Sequence, residues 1–401
     1  MATQHERAIQ SHDSPLLRFV ISVRVTDSSH KGTQKRTIFD AMNKTIALLF
    51  IGLVLGINIY LCWRLWRITP GMWAVKAGVV LVYLLWMALF FMSFLRIERL
   101  PMGLAYVVYN VGNPWLIFFL YLLIGFLLTG LARICHLIPP TFLKDNLTGL
   151  CSIVGGVILL MAIGGIHYHH KYREELTIHT QKQLEKPLKI VLVSDLHLGY
   201  HNRRAELARW IDLMNAENPD LILTAGDVVD RSMRPVLEGE YADEFHRLTA
   251  PVWTVLGNHD YYSNEPLVER FFKDAGIRLL RDESASFKGI TVIGRDDRTN
   301  RHRKPLVALT DRIDGFTILL DHQPYNLEEA EKAGIDFQFS GHTHRGQIWP
   351  ISWITDAMYE KSWGHHQRGA TRYYITSGLG IWGPRIRIGT RSEYLVLTIA
   401  E

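Results

Sequence analysis

Four long apolar runs, at 46–66, 73–95, 115–135 and 149–168, set the first half of the chain apart from a mixed second half. About 20 apolar residues at helical rise cover a hydrocarbon core, so each run predicts a membrane-spanning helix. Helices buried in a soluble bundle keep a polar stripe, whereas these are apolar all round. Four spans put both ends on one side of the membrane. A cleavable signal peptide is disfavoured, because the first run is long, follows a polar tail and is succeeded by further spans. Residues 1–42 are polar and lack periodicity, which predicts a disordered tail. Met42 is an alternative translation start, directly before Asn43-Lys44-Thr45 and the first span.

From about 187 the pattern changes to short β-rich runs between polar segments. Residues 189–194 read as a buried strand. Leu207, Trp210, Ile211 and Met214 then recur at i, i+3, i+4, i+7 and predict an amphipathic helix before a strand at 221–225. Further strands are predicted at 252–256, 290–294, 316–320, 336–340, 372–376 and 394–399. The expected organisation is a polar tail (1–42), a four-helix transmembrane region (43–170), a linker (171–187) and an α/β domain (188–401).

The formal net charge of +5 over 401 residues gathers largely at the span ends, where basic residues set orientation. Lys31, Lys35, Arg36, Lys44, Arg96, Arg99, Lys171, Arg173, Lys182, Lys186 and Lys189 stand on one side, against Arg64, Arg67, Lys76, Arg133 and Lys144 on the other. The excess predicts a multi-pass protein with its C-terminal domain in the cytoplasm. The second half has no basic stretch interleaved with aromatic residues, so no nucleic-acid partner is expected. Cys62, Cys135 and Cys151 lie in or beside the apolar runs and form no CxxC arm. Any metal in the polar half must therefore be held by His, Asp and Asn.

Residues of that kind fall after successive strands. Asp195 and His197 follow the first, Asp227 the second, Asn258 and His259 the third, His322 follows 316–320, and His342 and His344 follow 336–340. Ligands in α/β sheets collect beyond the carboxyl ends of strands, where loops converge on one crevice. Alone, Asp-x-His or Gly-Asp is a common turn. The ordered string Asp195-x-His197, Gly226-Asp227-x-x-Asp230, Gly257-Asn258-His259-Asp260, His322, Gly341-His342-Thr343-His344 is far more specific.

That string resembles the signature of the calcineurin-like metallophosphoesterase superfamily, over about 188–398. Ile293-Gly294-Arg295-Asp296-Asp297, Ser377-Gly378-Leu379-Gly380, Pro384 and Arg385 are similar to its membrane-associated bacterial phosphodiesterase branch. The resemblance implies a four-layer α/β/β/α sandwich and two divalent metal ions, manganese, iron or zinc. It implies Asp195, His197, Asp227 and His344 around the first ion, and Asp227, Asn258, His322 and His342 around the second, with Asp227 as the bridge and a hydroxide between the ions as nucleophile. His259 resembles the family histidine that protonates the leaving oxygen, with Asp260 as its orienting partner. Asp230 is open between a turn acceptor and a contact to a ligand histidine. Two departures stand out: Arg345 occupies a position where the branch commonly has Gly, and Asp321 one where a small hydroxyl residue is frequent. Arg345, with Arg295 and Arg298, is read either as a phosphate contact or as a solvated surface cation. His167, His169 and His170 fall at a membrane exit, and His365-His366 in a glycine-flanked loop.

The leading expectation is a metal-dependent phosphodiesterase or pyrophosphatase of the bacterial plasma membrane, acting on a lipid-linked or membrane-proximal phosphate. The branch includes enzymes that cleave the pyrophosphate of nucleotide-activated lipid A precursors. A membrane sensor or transport component with a non-catalytic phosphoesterase-like domain is the alternative. A nuclease of the same superfamily is the lesser one.

Overall fold

The computed structural model describes residues 32–311, 313 and 315–401. Residues 1–31 of the expected tail lie outside the described residues, while 32–42 are helical and begin the first helix. The helices of the first half are α1 (Gly32–Ile68), α2 (Trp73–Leu95), α3 (Met102–Gly112), α4 (Pro114–Ile134) and α5 (Leu147–His169), the last carrying a π turn at Cys151–Gly155. Four segments are long and apolar enough to cross a membrane: Leu48–Ile68, Trp73–Leu95, Met102–Ile134 and Leu147–His169. The third is longer than its apolar run because α3 precedes α4 across Asn113. Pro114 starts α4, and the Asn113 side chain donates to the Tyr109 carbonyl at 2.8 Å.

The chain forms two compact units: the residues up to Ile97 with Trp115–Val157, and Glu98–Pro114 with Ile158–Glu401. In the first, Leu48, Leu49, Phe50, Leu81, Val82, Leu127 and Leu128 face outward, the arrangement lipid favours. Inside it, Tyr83 donates to Asn58 at 2.6 Å, and Asn58 to the Val54 carbonyl at 2.8 Å.

The second unit is built on two six-stranded sheets. One runs β1 (Lys171–His179), β12 (Ser392–Ala400), β2 (Leu188–Val193), β3 (Leu221–Thr224), β4 (Val252–Thr254), β5 (Ile277–Leu279). The other runs β10 (Gly364–Arg368), β11 (Thr371–Ile375), β9 (Phe337–Ser340), β8 (Phe316–Leu320), β7 (Ile290–Gly294), β6 (Glu283–Phe287). Alternation along the strands sends one set of side chains inward between the sheets: Ile190, Leu192, Leu221 and Leu223 meet Val292, Ile318, Leu320 and Phe339. The opposite set of the first sheet packs on α6 (Arg204–Ala216), through Leu207, Trp210, Ile211 and Met214. Ile293, Leu319 and Tyr373 of the second sheet pack on Leu327 and Ala330. The result is the four-layer α/β/β/α sandwich.

Two expectations are corrected. The linker 171–187 contains β1, which pairs in parallel with β12 along its whole length; its charged residues suit a sheet edge, with Glu174 held by Arg391 at 2.8 Å. His365 and His366 lie in strand β10, not in a loop. Their rings rest against Tyr374 and Tyr373, the cross-strand partners of the pair.

Helix α3 belongs to this unit and buries Ala105, Val108, Tyr109 and Gly112, one helical face. The Tyr109 ring stacks on Tyr200 and His201, at centroid distances of 5.6 and 5.4 Å.

Candidate metal centre

The strands β2, β3 and β4 run parallel, as do β7, β8 and β9, so the loops after them open towards one crevice. Asp195 and His197 follow β2, Asp227 follows β3, and Asn258 begins α7 (Asn258–Tyr262) after β4. His322 follows β8, and His342 and His344 follow β9. Six of these side chains form two groups. The ligand atoms of Asp195, His197 and His344 lie within 4.8 Å of one another, and so do those of Asp227, His322 and His342. Asp227 Oδ2 lies 3.1 Å from His322 Nε2 and 3.7 Å from His197 Nε2, so it faces both groups.

The backbone is bent to reach this arrangement. Asp195, His197, Asp227, His342 and His344 have φ of +59°, +46°, +52°, +70° and +47°. Left-handed geometry costs an L residue about 1 kcal/mol or more, and such strain persists at functional sites where surrounding bonds over-determine it. Here Asp195 N donates to Gly226 O at 3.1 Å, His197 N to Asp227 O at 3.0 Å and Gly341 N to His322 O at 3.0 Å. The motif glycines answer to close approach. A Cβ on Gly257 would lie 2.1 Å from Asp227 Oδ1, and one on Gly341 2.2 Å from Asp195 Oδ2.

The donor set fits divalent cations. His322 Nδ1 donates to the Ala225 carbonyl at 2.7 Å, which turns the Nε2 lone pair towards Asp227. Two acceptors facing each other repel unless a proton or cation stands between them. His322 Nε2 and Asn258 Oδ1 are both buried, and no group among the described residues hydrogen-bonds to them. Burial opposes the charge on His322, but Asp227 outweighs it and raises the imidazole well above its usual range. His197 behaves alike: against burial, the nearby carboxylates of Asp195 and Asp230 push it up to about 10. Burial keeps His342 down at about 4 and His344 well below its usual range. The four imidazoles thus divide into two that hold protons a metal would displace and two that already present lone pairs.

Asp230 resolves into an orienting role. Its Oδ1 accepts from His259 Nδ1 at 2.7 Å and lies 3.5 Å from His197 Nδ1, while Oδ2 lies 3.2 Å from the Tyr109 hydroxyl and 3.7 Å from His201 Nδ1. Burial disfavours its charge, yet the neighbouring imidazoles of His197 and His259 hold the carboxyl well below the usual range. Asp260, expected to orient His259, does not touch it. One of its oxygens accepts from Gly257 N and the other from Val229 N, each at 2.9 Å, bracing the two loops together. At the start of α7 a carboxylate satisfies backbone donors before it can reach a side chain; burial and then Asp227 push its carboxyl up to about 7.

The arginines also resolve. Arg295 is buried against Asp321 at 3.3 Å and Glu329 at 2.6 Å, so it is not available to a phosphate. Asp321 also takes Arg303 at 3.2 Å, which explains a carboxylate beside His322. Arg345 lies over the Trp363 ring at 4.1 Å and Arg298 over Tyr325 at 4.9 Å. Sequence reasoning missed Tyr109 and Arg387. The buried Arg387 donates to the carbonyls of His344 and Gly380 at 2.8 and 3.1 Å, clasping the last metal-type histidine. No motif marks either residue.

Comparison with known proteins agrees with this geometry. The calcineurin-like phosphoesterase family model matches residues 188–346. A metallophosphoesterase of Aquifex aeolicus is 30% identical over 257 residues, 60% of this chain and 97% of its own. One of Campylobacter jejuni is 28% identical over 54% of this chain, which spans 60% of that relative's length. A transmembrane protein with metallophosphoesterase domain from Danio rerio is 29% identical, over 53% of each chain. On its strand order, its clustered Asp and His donors and these relatives, the chain belongs to the calcineurin-like phosphoesterase family.

Proposed function

We propose that the protein is a dinuclear-metal phosphohydrolase of the membrane, cleaving a phosphodiester or pyrophosphate borne by or close to the lipid. The reading rests on one observation: Asp227 faces two donor groups while Asp230 holds His259 beside them, with the His259 and His197 rings 4.6 Å apart. Asp195, His197, Asp227 and His344 would hold one cation, and Asp227, Asn258, His322 and His342 the other. When bound, the pair supplies Lewis acidity to the phosphoryl oxygens and lowers the pKa of water. His259, with Nδ1 committed to Asp230, keeps Nε2 for the leaving oxygen as general acid. Apolar spans and the basic residues at their ends support a plasma-membrane protein with this domain in the cytoplasm. The test is hydrolysis of bis-(p-nitrophenyl) phosphate by the full chain in detergent with manganese. Turnover that Asp227→Asn abolishes, and that His259→Ala cuts with metal content kept, supports the reading. A protein that binds both metals and cleaves no phosphoester contradicts it.

A further inference from the structure

Helix α8 (Glu265–Asp274) turns its charges to water, as surface helices do. Helix α9 (Ile351–Met358) does the opposite. Trp353, Ile354 and Met358 are 65%, 53% and 62% exposed, and Trp349 just before them 39%. The two indoles meet edge to face at 5.3 Å. So much apolar and aromatic surface on one short element marks an interaction site.

Three links tie this helix to its surroundings. At its start, Gly346 of the metal loop comes so close that a Cβ there would stand 2.6 Å from Ser352 N. At its end, the Tyr359 ring lies 6.3 Å from that of His342. Sideways, Trp349 N donates to Ile388 O at 2.7 Å, and Ile386 and Ile388 press on Gly164 of α5, where a Cβ would be 2.8 Å from each. Arg387 N donates to Gly164 O, and His167 Nε2 bonds the Thr390 carbonyl, both at 3.0 Å. Gly164 lies five residues from the end of a membrane-spanning segment, about 8 Å along a helix. Helix α9 is therefore tied, through Trp349 and Ile388, to the part of α5 that ends an apolar span. Ile163 and Ile166 of that segment, and Leu104, Val107 and Val111 of α3, are exposed as well.

We propose that α9, with Trp349, is seated in the bilayer interface and holds the mouth of the metal centre at the lipid surface. Tryptophan concentrates at that depth because its ring is apolar and its N–H is wet. A second copy of the chain is the competing occupant; the tie to the end of the span favours lipid. The consequence that the substrate phosphate is taken from the lipid layer rests on the phosphohydrolase reading, whereas the seating itself does not.

The seating is tested on the full chain in phosphatidylcholine–phosphatidylglycerol nanodiscs, with Cys62, Cys135 and Cys151 changed to Ser and an environment-sensitive fluorophore on Ile354→Cys. Blue-shifted emission, quenched by lipid carrying a nitroxide just below the headgroup and shielded from iodide, is expected. The same label on Arg270→Cys, on the charged helix α8, should show the reverse. Quenching of the Ile354 label by iodide alone overturns the proposal, and so does a blue shift that neither quencher reaches, which means a protein partner. In a second arm, changing Trp353, Ile354 and Met358 together to Ser should lower the ratio of hexadecyl p-nitrophenyl phosphate to bis-(p-nitrophenyl) phosphate turnover about tenfold. An unchanged ratio removes the link to substrate delivery. If neither compound is cleaved by the parent protein, the phosphohydrolase reading fails while the fluorophore result still decides the seating.

Discussion

Replacing Asp230 by Asn keeps the shape of the side chain and removes its charge. The carboxylate accepts from His259 at 2.7 Å and faces His197 at 3.5 Å, in a site where it is 5% exposed. A hydrogen bond to a charged group contributes about 1.5–3 kcal/mol. If that bond acts in the transition state, its loss lowers turnover roughly 10- to 150-fold, at about 1.4 kcal/mol per factor of ten. The contact to His197 also braces a residue proposed as a metal ligand, and such supports change metal affinity by about 10- to 100-fold. Turnover of bis-(p-nitrophenyl) phosphate is therefore measured at saturating manganese, with metal content read in parallel. The expected result is a large fall in kcat with both metals present. Full kcat at saturating metal, or activity falling only in step with metal content, would refute the orienting role assigned to Asp230.

Other consequences follow from the same contacts. Gly257→Ala drives a Cβ into Asp227 Oδ1 and should lower both metal content and thermal midpoint; an active, fully loaded variant would show that the loop yields freely. His197 and His322 are both raised and hold protons near neutrality without metal. Metal must displace those protons, so affinity should rise with pH between about 6 and 8, roughly tenfold per unit for each proton displaced; a flat competition titration would contradict this. Tyr109→Phe removes the hydroxyl 3.2 Å from Asp230 and should lower kcat a few-fold with KM for a small soluble diester unchanged, since one neutral donor is worth about 1 kcal/mol. An equal effect on KM would place its influence in binding.

The centre of the molecule was legible in the sequence and its margins were not. The eight predicted strands correspond to β2, β3, β4, β7, β8, β9, β11 and β12, each carrying an apolar run that the sheets bury. Those missed, β1, β5, β6 and β10, are the four sheet edges. Edge strands carry charged and polar residues that blunt pairing with other chains, and Lys171–His179 and Gly364–Arg368 do so. The clustering of Asp195, His197, Asp227, His322, His342 and His344 was readable because each is an Asp or His that follows a strand end. The partner of His259 was not, since Asp230 and Asp260 are equally carboxylates. Only geometry tells that Asp260 spends its oxygens on Gly257 N and Val229 N. Tyr109 was hidden for another reason: it lies in an apolar helix far upstream, 121 positions before Asp230.

Metal content per chain, measured beside hydrolysis in one preparation, bears most directly on the dinuclear site. Two divalent ions per chain are predicted, with turnover lost when they are stripped, restored when they return, and absent with both ions in Asp227→Asn. Hydrolysis that survives complete removal of metal, or an Asp227→Asn protein that still holds two ions and turns over, would contradict it.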